Sequence, residues 1–370
     1  QWVEFESSYP QDLQSALESL TRAGLSRGKI HGESVRGGVF ILRSDIIPRE
    51  TRLALLAAAG AVLLSRHGSL AEQLDRLEQE PPVAPPPVAV ARSRRDSTDV
   101  SPDVPSLEFF NGFGGFTPDG EEYVTVMRDG QRTPAPWVNV VANAGFGFHV
   151  SADGSSCTWA GNSQMNRLTP WSNDPVGDRS GEALYVRDDD SGLLFGPTAL
   201  PVRKASGHYL ARHGRGYSRF EHTRADIALD LLQFVPGDEP VKVSRLRIRN
   251  LSGRTRHLTL TAYVEWVLGT SRSSTAPFVA TEIDPVTGGM LARNLWGGSE
   301  TRVAFTDLGG LQTAWTGNRM EFIGRNGTLK RPAALATGAR LSGRTGAGLD
   351  PCGALQTSVV LAAHSSVDLV

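Results

Sequence analysis

The segment RHLTLTAYVEWVLG, residues 256–269, decides the fold class of this chain. Apolar and polar side chains alternate along most of it. Because successive side chains of a strand point to opposite faces of a sheet, this period predicts a β-strand with one buried face. The side chains predicted to face the core are Leu258, Leu260, Ala262, Val264, Trp266 and Leu268.

The same period recurs in VKVSRLRIRN, residues 241–250, where Leu246 and Ile248 alternate with arginines. Turn-forming dipeptides such as Asn326-Gly327 are frequent in this part of the chain. Many strands with frequent turns and no long helical pattern between them are typical of an antiparallel sandwich. We therefore predict a mainly β domain over residues 107–370.

Residues 1–80 have a helical period instead, and we predict a small helical appendage there. Apolar side chains recur at helical spacing in PQDLQSALESLTRAG, residues 10–24, and Pro48 stands where a second helix would begin. GGVFILRSD, residues 37–45, has the composition of a short strand.

The most apolar run, LALLAAAGAVLL at residues 53–64, is too short for a membrane span, which needs about 20 residues. We predict a buried helix there. Ser69, followed three residues later by Glu72, has the pattern of a helix-capping box. Residues 81–106 are rich in proline and mixed charge, which predicts a solvated linker without a core.

The composition excludes several classes of protein. A net charge of −1 over 370 residues gives no general attraction to nucleic acid. The two cysteines, Cys157 and Cys352, have the spacing of neither a disulfide framework nor a zinc site, which favours a reducing compartment. We expect no metal and no cofactor.

A candidate sugar site lies in SCTWAGNSQMNRLTPWSNDP, residues 156–175. Aromatic rings can stack on the C–H faces of a sugar while amides, guanidinium and carboxylate groups bind its hydroxyls. The candidate substrate-binding residues are Trp159, Asn162, Arg167, Trp171, Asn173 and Asp174. The alternative is a structural loop, in which Trp159 packs into the sandwich and the polar side chains bond to turn backbone. The two interpretations are compatible, and both stay open.

A second candidate is RHGRGYSRFEHT, residues 212–223, where His213 and Arg215 are the side chains we expect to face substrate. On a strand, Arg219 and Glu221 share one face, so this cluster is also explained by ion pairing at a sheet surface.

We predict no catalytic residue in this chain. It lacks HExxH, GxSxG and Walker-type motifs, and the glycines of GFGGF, residues 112–116, suit a tight β turn. The carboxylates of residues 188–190 precede Ser191-Gly192 and are expected in a solvated hairpin turn, whereas Asp174 precedes Pro175 and is expected to cap a turn.

Four segments in this order carry a family resemblance. They are FFNGFGGFTPDGEEYV (109–124), TPAPWVNVVANAGFGFHVS (133–151), TWAGNSQMNRLTPWSNDP (158–175) and RHGRGYSRFEHT (212–223). Together they resemble the N-terminal β-sandwich of the phosphorylases of glycoside hydrolase family 94, formerly glycosyltransferase family 36. Within that family the resemblance is greatest to cyclic β-1,2-glucan synthases, and it covers residues 37–370. Cys157 departs from the tyrosine that is usual at this position in the family.

The resemblance implies an antiparallel β-supersandwich, galactose-mutarotase-like, that precedes an (α/α)6 barrel carrying the catalytic acid and most of the phosphate site. We therefore expect a piece of a longer protein and a non-catalytic domain that shapes the barrel's substrate entrance. The expected partners are a β-1,2-linked glucan, the barrel and a second copy in a homodimer. The longer protein is expected at the cytoplasmic face of the inner membrane, and the fragment itself is expected to be soluble. The alternatives are an independent glucan-binding module and a complete small enzyme.

Overall fold

The computed structural model describes twelve stretches of the chain: residues 2–5, 40–43, 47–59, 62–63, 68–69, 71–73, 103–128, 130–171, 174, 176–203, 207–296 and 302–370. The chain divides into two compact units, residues 1–91 and residues 92–370.

The described residues of the N-terminal unit include a two-stranded ladder, a helix of ten residues and a further helical turn at residues 71–73. Strand β1 (Trp2–Phe5) pairs in parallel with β2 (Phe40–Arg43), and helix α1 covers Arg49–Ala58. Strand β2 confirms the strand expected within residues 37–45, whereas β1 was not foreseen. The helix expected at residues 10–24 and nearly all of the linker lie outside the described residues.

Helix α1 begins after Pro48, as expected, but no residue of it is buried, and Leu53 is 55% exposed. The prediction of a buried helix is wrong for the described turns. Alanine and leucine surround the helix axis instead of forming a stripe, so this segment lacks the one-sided apolar face that packs against a core.

The capping box is confirmed. The Ser69 amide donates to Glu72 Oε2 at 2.7 Å, and the Glu72 amide donates to Ser69 Oγ at 3.3 Å. The Ser69 hydroxyl also donates to Glu72 Oε2, at 2.9 Å, and the bonds from the Ser69 amide and hydroxyl lower the pKa of the exposed Glu72 carboxyl.

A seven-stranded antiparallel sheet forms one layer of the C-terminal unit, in the order β20-β13-β12-β11-β10-β4-β3. Its strands are β3 (Gly114–Phe116), β4 (Glu122–Met127), β10 (Tyr209–Gly214), β11 (Tyr217–Arg224), β12 (Ile227–Phe234), β13 (Val243–Asn250) and β20 (Ser366–Leu369).

A five-stranded sheet in the order β18-β19-β14-β8-β9 forms the second layer. Its strands are β8 (Glu182–Asp188), β9 (Leu194–Phe195), β14 (Arg256–Glu265), β18 (Ala314–Asn318) and β19 (Pro351–Leu361).

The described residues of this unit also form two three-stranded sheets, two short α-helices and two 3-10 helices, Ala276–Phe278 and Ala333–Leu335. One sheet contains β5 (Val138–Ala142), β6 (Phe146–Ser151) and β7 (Ser156–Ala160), and the other contains β15 (Val279–Ile283), β16 (Met290–Asn294) and β17 (Ala304–Thr306). The helices are α2 (Arg272–Thr275) and α3 (Arg319–Ile323). The mainly β supersandwich is therefore confirmed.

The quoted segment forms β14, which pairs with β19 on one side and with β8 on the other. Leu258 and Leu260 pack in the main core between the two large sheets, as predicted. The opposite face is also buried, so the expectation of a single buried face is wrong. Phe322 of α3 stacks on the Tyr263 ring, with a centroid distance of 4.7 Å. A second apolar layer outside the five-stranded sheet therefore covers the face that was predicted to meet solvent.

Candidate functional site

The candidate loop of residues 156–175 starts as β7, the edge strand of a three-stranded sheet, and its first tryptophan is held by that sheet. A Cβ placed on Gly147 would stand 2.8 Å from Trp159 Cζ2. Only glycine lets the indole lie this close to the backbone of β6. The half-buried Trp159 ring therefore packs on the sandwich, as the structural interpretation expects.

Asn162 organises the turn that follows. Its Oδ1 accepts hydrogen bonds from the Gln164 amide at 2.9 Å and the Met165 amide at 2.8 Å. The Asn166 side chain donates to the Ala160 carbonyl at 2.9 Å. These are the local side-chain to backbone bonds that asparagine commonly makes in turns, so the Asn162 carbonyl oxygen is already engaged.

Arg167 fastens the loop to the segment after β14. Its backbone N–H and C=O both pair with Gly269 at 3.0 Å. Its Nε donates to the Ser163 carbonyl at 3.0 Å, and Nη1 donates to the Thr270 carbonyl at 3.3 Å. The loop is consequently rigid at its midpoint.

Trp171 is the exposed tryptophan of this loop: 48% of it is exposed, whereas Trp159 is half-buried. The Arg167 guanidinium carbon lies 5.6 Å from the centre of the Trp171 ring, in cation–π geometry. His149 packs edge-on against Trp171 with a centroid distance of 5.6 Å, and 6.2 Å separates the rings of His149 and Trp159. Arg167, His149 and the two indoles form a compact group, which we call the aromatic group.

Sequence reasoning missed His149. Burial lowers the pKa of its imidazole, which is therefore neutral at pH 7. The sequence signal was the polar His149 inside the otherwise apolar run FGFHV, residues 146–150. In the structure, His149 is half-buried within a buried strand and lies on the same face as Cys157, its partner on β7.

Asp174 is committed to a turn. Its Oδ1 accepts from the amides of Val176 and Gly177, both at 3.0 Å. This agrees with the predicted capping role. Asn173 lies outside the described residues, so its role stays a prediction.

A buried ion pair lies behind the loop. Glu182 Oε1 accepts from the hydroxyls of Thr158 at 2.6 Å and Thr169 at 2.7 Å, while Oε2 meets Lys242 Nζ at 2.7 Å. Burial alone would raise the pKa of Glu182, but the Lys242 ammonium and the two hydroxyls lower it. Glu182 is therefore ionised and fully hydrogen-bonded, which does not suit a proton donor.

The second candidate segment forms the β10–β11 hairpin. His213 Nδ1 lies 3.0 Å from Ser218 Oγ, and burial lowers the pKa of the imidazole to about 4. His213 is therefore neutral at pH 7 and cannot attract phosphate as a cation. Arg215 is exposed in the tight turn before Gly216, whose φ of 81° suits glycine.

The remaining charges of this segment pair across the outer face of the seven-stranded sheet. Arg212 contacts Glu221 at 2.8 Å and Glu122 at 3.2 Å. Arg219 holds Asp230 of β12 through two bonds of 2.8 and 2.7 Å, whereas its distance to Glu221 is 3.8 Å. The ion-pair interpretation is therefore confirmed, with partners on neighbouring strands.

The candidate substrate-binding residues form two separate groups, one in residues 156–175 and one in the β10–β11 hairpin. The Asn139 side chain on β5 binds the Gly214 and Tyr217 carbonyls of the hairpin, at 3.0 and 2.8 Å. Trp159 meets Gly147 near the other end of the same three-stranded sheet. Three residues of strand, about 10 Å, separate Asn139 from Ala142, which pairs with Gly147.

Two smaller expectations have different outcomes. Asp188 is only 1% exposed and binds Arg256 Nη2 at 2.8 Å, so the expectation of a solvated aspartate is wrong there. Asp188 is paired with Leu258 of the neighbouring strand β14, and since paired residues share a face, its side chain points inward like that of Leu258, which lies in the main core. The glycine-rich segment behaves as predicted: a Cβ on Gly114 would stand 2.5 Å from the Val124 carbonyl oxygen, which is strand packing.

Both cysteines are buried, and burial raises the pKa of the Cys157 thiol to about 12. Neither thiol is suited to nucleophilic chemistry. The part of the chain that the structure describes holds no group of three or more potential metal ligands. None of its helices has the length and apolar character that spanning a bilayer requires.

Two large antiparallel sheets with accessory three-stranded sheets, and a rigid loop presenting an aromatic group, define this protein as a β-supersandwich. The family model described as "Glycosyl hydrolase 94, supersandwich domain" matches residues 121–370, more than half of the chain. The chain belongs to this family, as the sequence motifs indicated.

The relatives are carbohydrate enzymes by name. The chain is 40% identical over 366 residues to the cyclic beta-(1,2)-glucan synthase NdvB of Rhizobium meliloti (strain 1021), an alignment that covers 96% of this chain and 13% of that protein. It is 28% identical over 256 residues to N,N'-diacetylchitobiose phosphorylase of Vibrio furnissii, which covers 67% of this chain and 32% of that protein. Solabiose phosphorylase of Paenibacillus borealis is 30% identical over 166 residues, or 42% of this chain and 20% of that protein. The chain thus spans at most a third of the length of these relatives.

Proposed function

We propose that this chain is the non-catalytic supersandwich domain of a longer protein that acts on β-1,2-linked glucan. In this proposal the aromatic group shapes the substrate entrance of an adjoining (α/α)6 barrel. The observation that carries the proposal is the rigid loop: Asn162, Arg167 and Asp174 bond to backbone, and this fixes Trp171 at the surface.

The carboxylates near the two candidate segments support a non-catalytic role. An inverting phosphorylase needs one carboxylic acid that protonates the leaving oxygen and a cationic site for phosphate. Glu182 is paired with Lys242, Glu221 is paired with Arg212, and Asp174 accepts two amide hydrogen bonds.

Activity assays on the longer protein test this proposal. Replacing Trp171 with Ala should raise KM for β-1,2-glucooligosaccharides several-fold while kcat changes little, because the ring positions substrate without touching the reacting bond. Met165→Ala, also exposed in the same loop, is the matched control and should leave both constants unchanged. Equal kinetics for Trp171→Ala and the parent protein would refute the entrance role.

The exposed Trp171 beside Arg167 also favours a second candidate, an independent glucan-binding module. Calorimetric titration of the isolated chain with β-1,2-glucooligosaccharides separates the two functions. Millimolar or tighter binding that is lost in Trp171→Ala would favour the module, and absence of binding would favour the scaffold. Release of sugar phosphate by the isolated chain would instead establish a complete enzyme.

The expected partners and location belong to the same proposal. We propose the barrel and a second copy of the chain as protein partners, in a longer protein at the cytoplasmic face of an inner membrane. The size of the NdvB relative, of which the alignment covers 13%, leaves room for such further parts in that protein.

A further inference from the structure

Strand β5 is an open edge of its three-stranded sheet. Among the described residues it pairs with β6 on one side and with no strand on the other. Val138 is 53% exposed, Val140 is 61% exposed and Ala142 is exposed too, all on the outer face of the sheet. The inner face of β5 packs on the sandwich through Asn139 and the buried Val141. The strand is therefore anchored through one face while the other face is exposed.

Two ladder hydrogen bonds fix which residues of β5 face β6. The Ala152 amide donates to the Trp137 carbonyl at 2.8 Å. The Asn143 amide donates to the Phe146 carbonyl at 2.9 Å. Because hydrogen-bonded pairs alternate with non-bonded pairs in an antiparallel ladder, residues 137, 139, 141 and 143 face β6. The backbone N–H and C=O groups of residues 138, 140 and 142 therefore point away from the sheet.

The sequence of β5 does not protect this edge. Soluble proteins usually protect an edge strand with a charged side chain, a proline or a bulge. The sequence VNVVA contains no charge and no proline, and its register to β6 is regular. Edge strand β20, by contrast, carries the exposed and charged Asp368. An apolar, unprotected edge is typical of a strand to which a further strand is added in an assembly.

The pattern of β5 is complementary to itself. Antiparallel pairing of two copies about a two-fold axis at Val140 sets Val140 against its own counterpart and Val138 against Ala142 of the second copy. Every such pair joins residues whose backbone groups point away from β6, so each pair exchanges two hydrogen bonds. Neither strand carries a charge, so the two identical strands do not repel each other. The contact is isologous and closes as a dimer.

The charges at the two ends of β5 have opposite sign. At one end, the Asn139 side chain donates to two carbonyls of the β10–β11 turn, which contains the exposed Arg215. At the other end, the Asn143 side chain donates to two carbonyls of the β12–β13 connection, which contains the exposed Asp238 and Glu239. Antiparallel pairing brings the basic end of one copy towards the acidic end of the other. This complementarity favours a second copy of the chain as the occupant of the edge.

We propose that β5 is the contact between two copies of this chain, paired antiparallel about a two-fold axis at Val140 to form a continuous six-stranded sheet. The inference rests on the second copy proposed above as a partner and assigns a surface to it. It is independent of the glucan contact proposed at Trp171, because that residue belongs to the loop after β7, the opposite edge strand of the same sheet.

Cysteine cross-linking of the full chain tests the register. In this pairing the two Cα atoms at position 140 lie about 5.5 Å apart, within the range that a disulfide bridges. Val140→Cys should therefore form an interchain disulfide on mild oxidation, measured by non-reducing gel electrophoresis. Val138→Cys sets its two thiols about 13 Å apart along the strands and should cross-link about tenfold more slowly or less. The native thiols of Cys157 and Cys352 are buried and should not compete.

Sedimentation velocity of the full chain over a range of concentrations measures the association itself. The parent chain should dimerise reversibly. Val140→Asp sets two like charges against each other at the axis and should weaken dimerisation about tenfold or more. Val360→Asp, at a valine of similar exposure on β19, is the matched control and should leave dimerisation unchanged. Arg215→Asp should weaken the dimer severalfold, and adding Asp238→Arg should restore it.

Far-UV circular dichroism and urea midpoints establish that each variant is folded, and the cross-linking and charge-reversal variants carry the test if Val140→Asp does not fold. A monomer at every concentration overturns both this interface and the second copy as a partner. Dimerisation that a folded Val140→Asp variant leaves unchanged overturns the interface alone. Equal rates of cross-linking for Val138→Cys and Val140→Cys also overturn it. The kinetics of Trp171→Ala are measured separately, so none of these results decides the glucan proposal.

Discussion

Lys242 and Glu182 connect residues 60 positions apart in the chain and join β7, β8 and the segment before β13. Their charges are buried, so the pair is stable only because every polar atom of the carboxylate and ammonium has a partner. The same pair fixes Thr158 and Thr169, which flank the turn of the candidate loop.

Replacing Glu182 with Gln should lower the free energy of unfolding by about 3–5 kcal/mol, because Lys242 stays buried without a counter-charge. Urea denaturation at pH 7 measures the change. Glu282→Gln removes an exposed partner of Arg293, 3.3 Å away, and should cost less than about 1 kcal/mol. Equal effects of the two substitutions would contradict the structural role of the buried pair.

His213 should make stability depend on pH. Its folded-state pKa of about 4 lies below the value of about 6.5 in the unfolded chain, so the unfolded chain binds a proton first. The free energy of unfolding should therefore fall as the pH decreases from about 6.5 to about 4, by up to about 1.4 kcal/mol per pH unit.

Urea midpoints across this pH range measure the effect. His213→Gln should flatten the profile between these limits. Val360→Gln, at an exposed position on β19, is the control and should give the same profile as the parent chain. An unchanged slope in His213→Gln would show that another group titrates in this range.

At the scale of elements, helix α3 is small but covers the outer face of the five-stranded sheet. Asn318 caps it by accepting from the Met320 amide, which starts a helix of five residues. Phe322 and Ile323 are then buried against Tyr185 and Tyr263, while Met320 on the other side of the helix is exposed.

Phe322→Ala should destabilise the chain by about 3–5 kcal/mol, because a fully buried ring is lost and a cavity is left above Tyr263. Met320→Ala in the same helix is the matched control, with an expected change below about 0.5 kcal/mol. Chemical denaturation measures both. Similar losses would indicate that the helix acts through its own propensity and not through packing.

At the scale of the whole molecule, the core belongs to the C-terminal unit. All four apolar clusters lie between Val104 and Leu369, and none uses a described residue of the N-terminal unit. The supersandwich thus has its own core, which is the physical requirement for a separately folding domain.

A fragment of residues 103–370 should therefore fold alone. It should give a β-type circular dichroism spectrum and a single cooperative melt at the temperature of the full chain's sandwich transition. Loss of cooperativity in this fragment would show that residues 1–102 complete the fold. The domain boundaries at residues 80 and 106 stay predictions until such fragments are measured.

The sequence by itself determined the fold class, the family and several local structures. Some features depend only on neighbours within a few residues, which a sequence displays directly. They are the alternation in residues 256–269, the Ser69–Glu72 capping box and the turn role of Asp174. Family motifs added the supersandwich, because they preserve the order of many strands at once.

Only the tertiary structure decided which faces are buried and which side chains meet. Three contacts join residues that are distant in the chain. They are the second layer over Tyr263, the packing of His149 against Trp171 and the ion pair of Lys242 with Glu182. Periodicity identifies an apolar face of a strand, but what covers that face depends on the packing of the other elements.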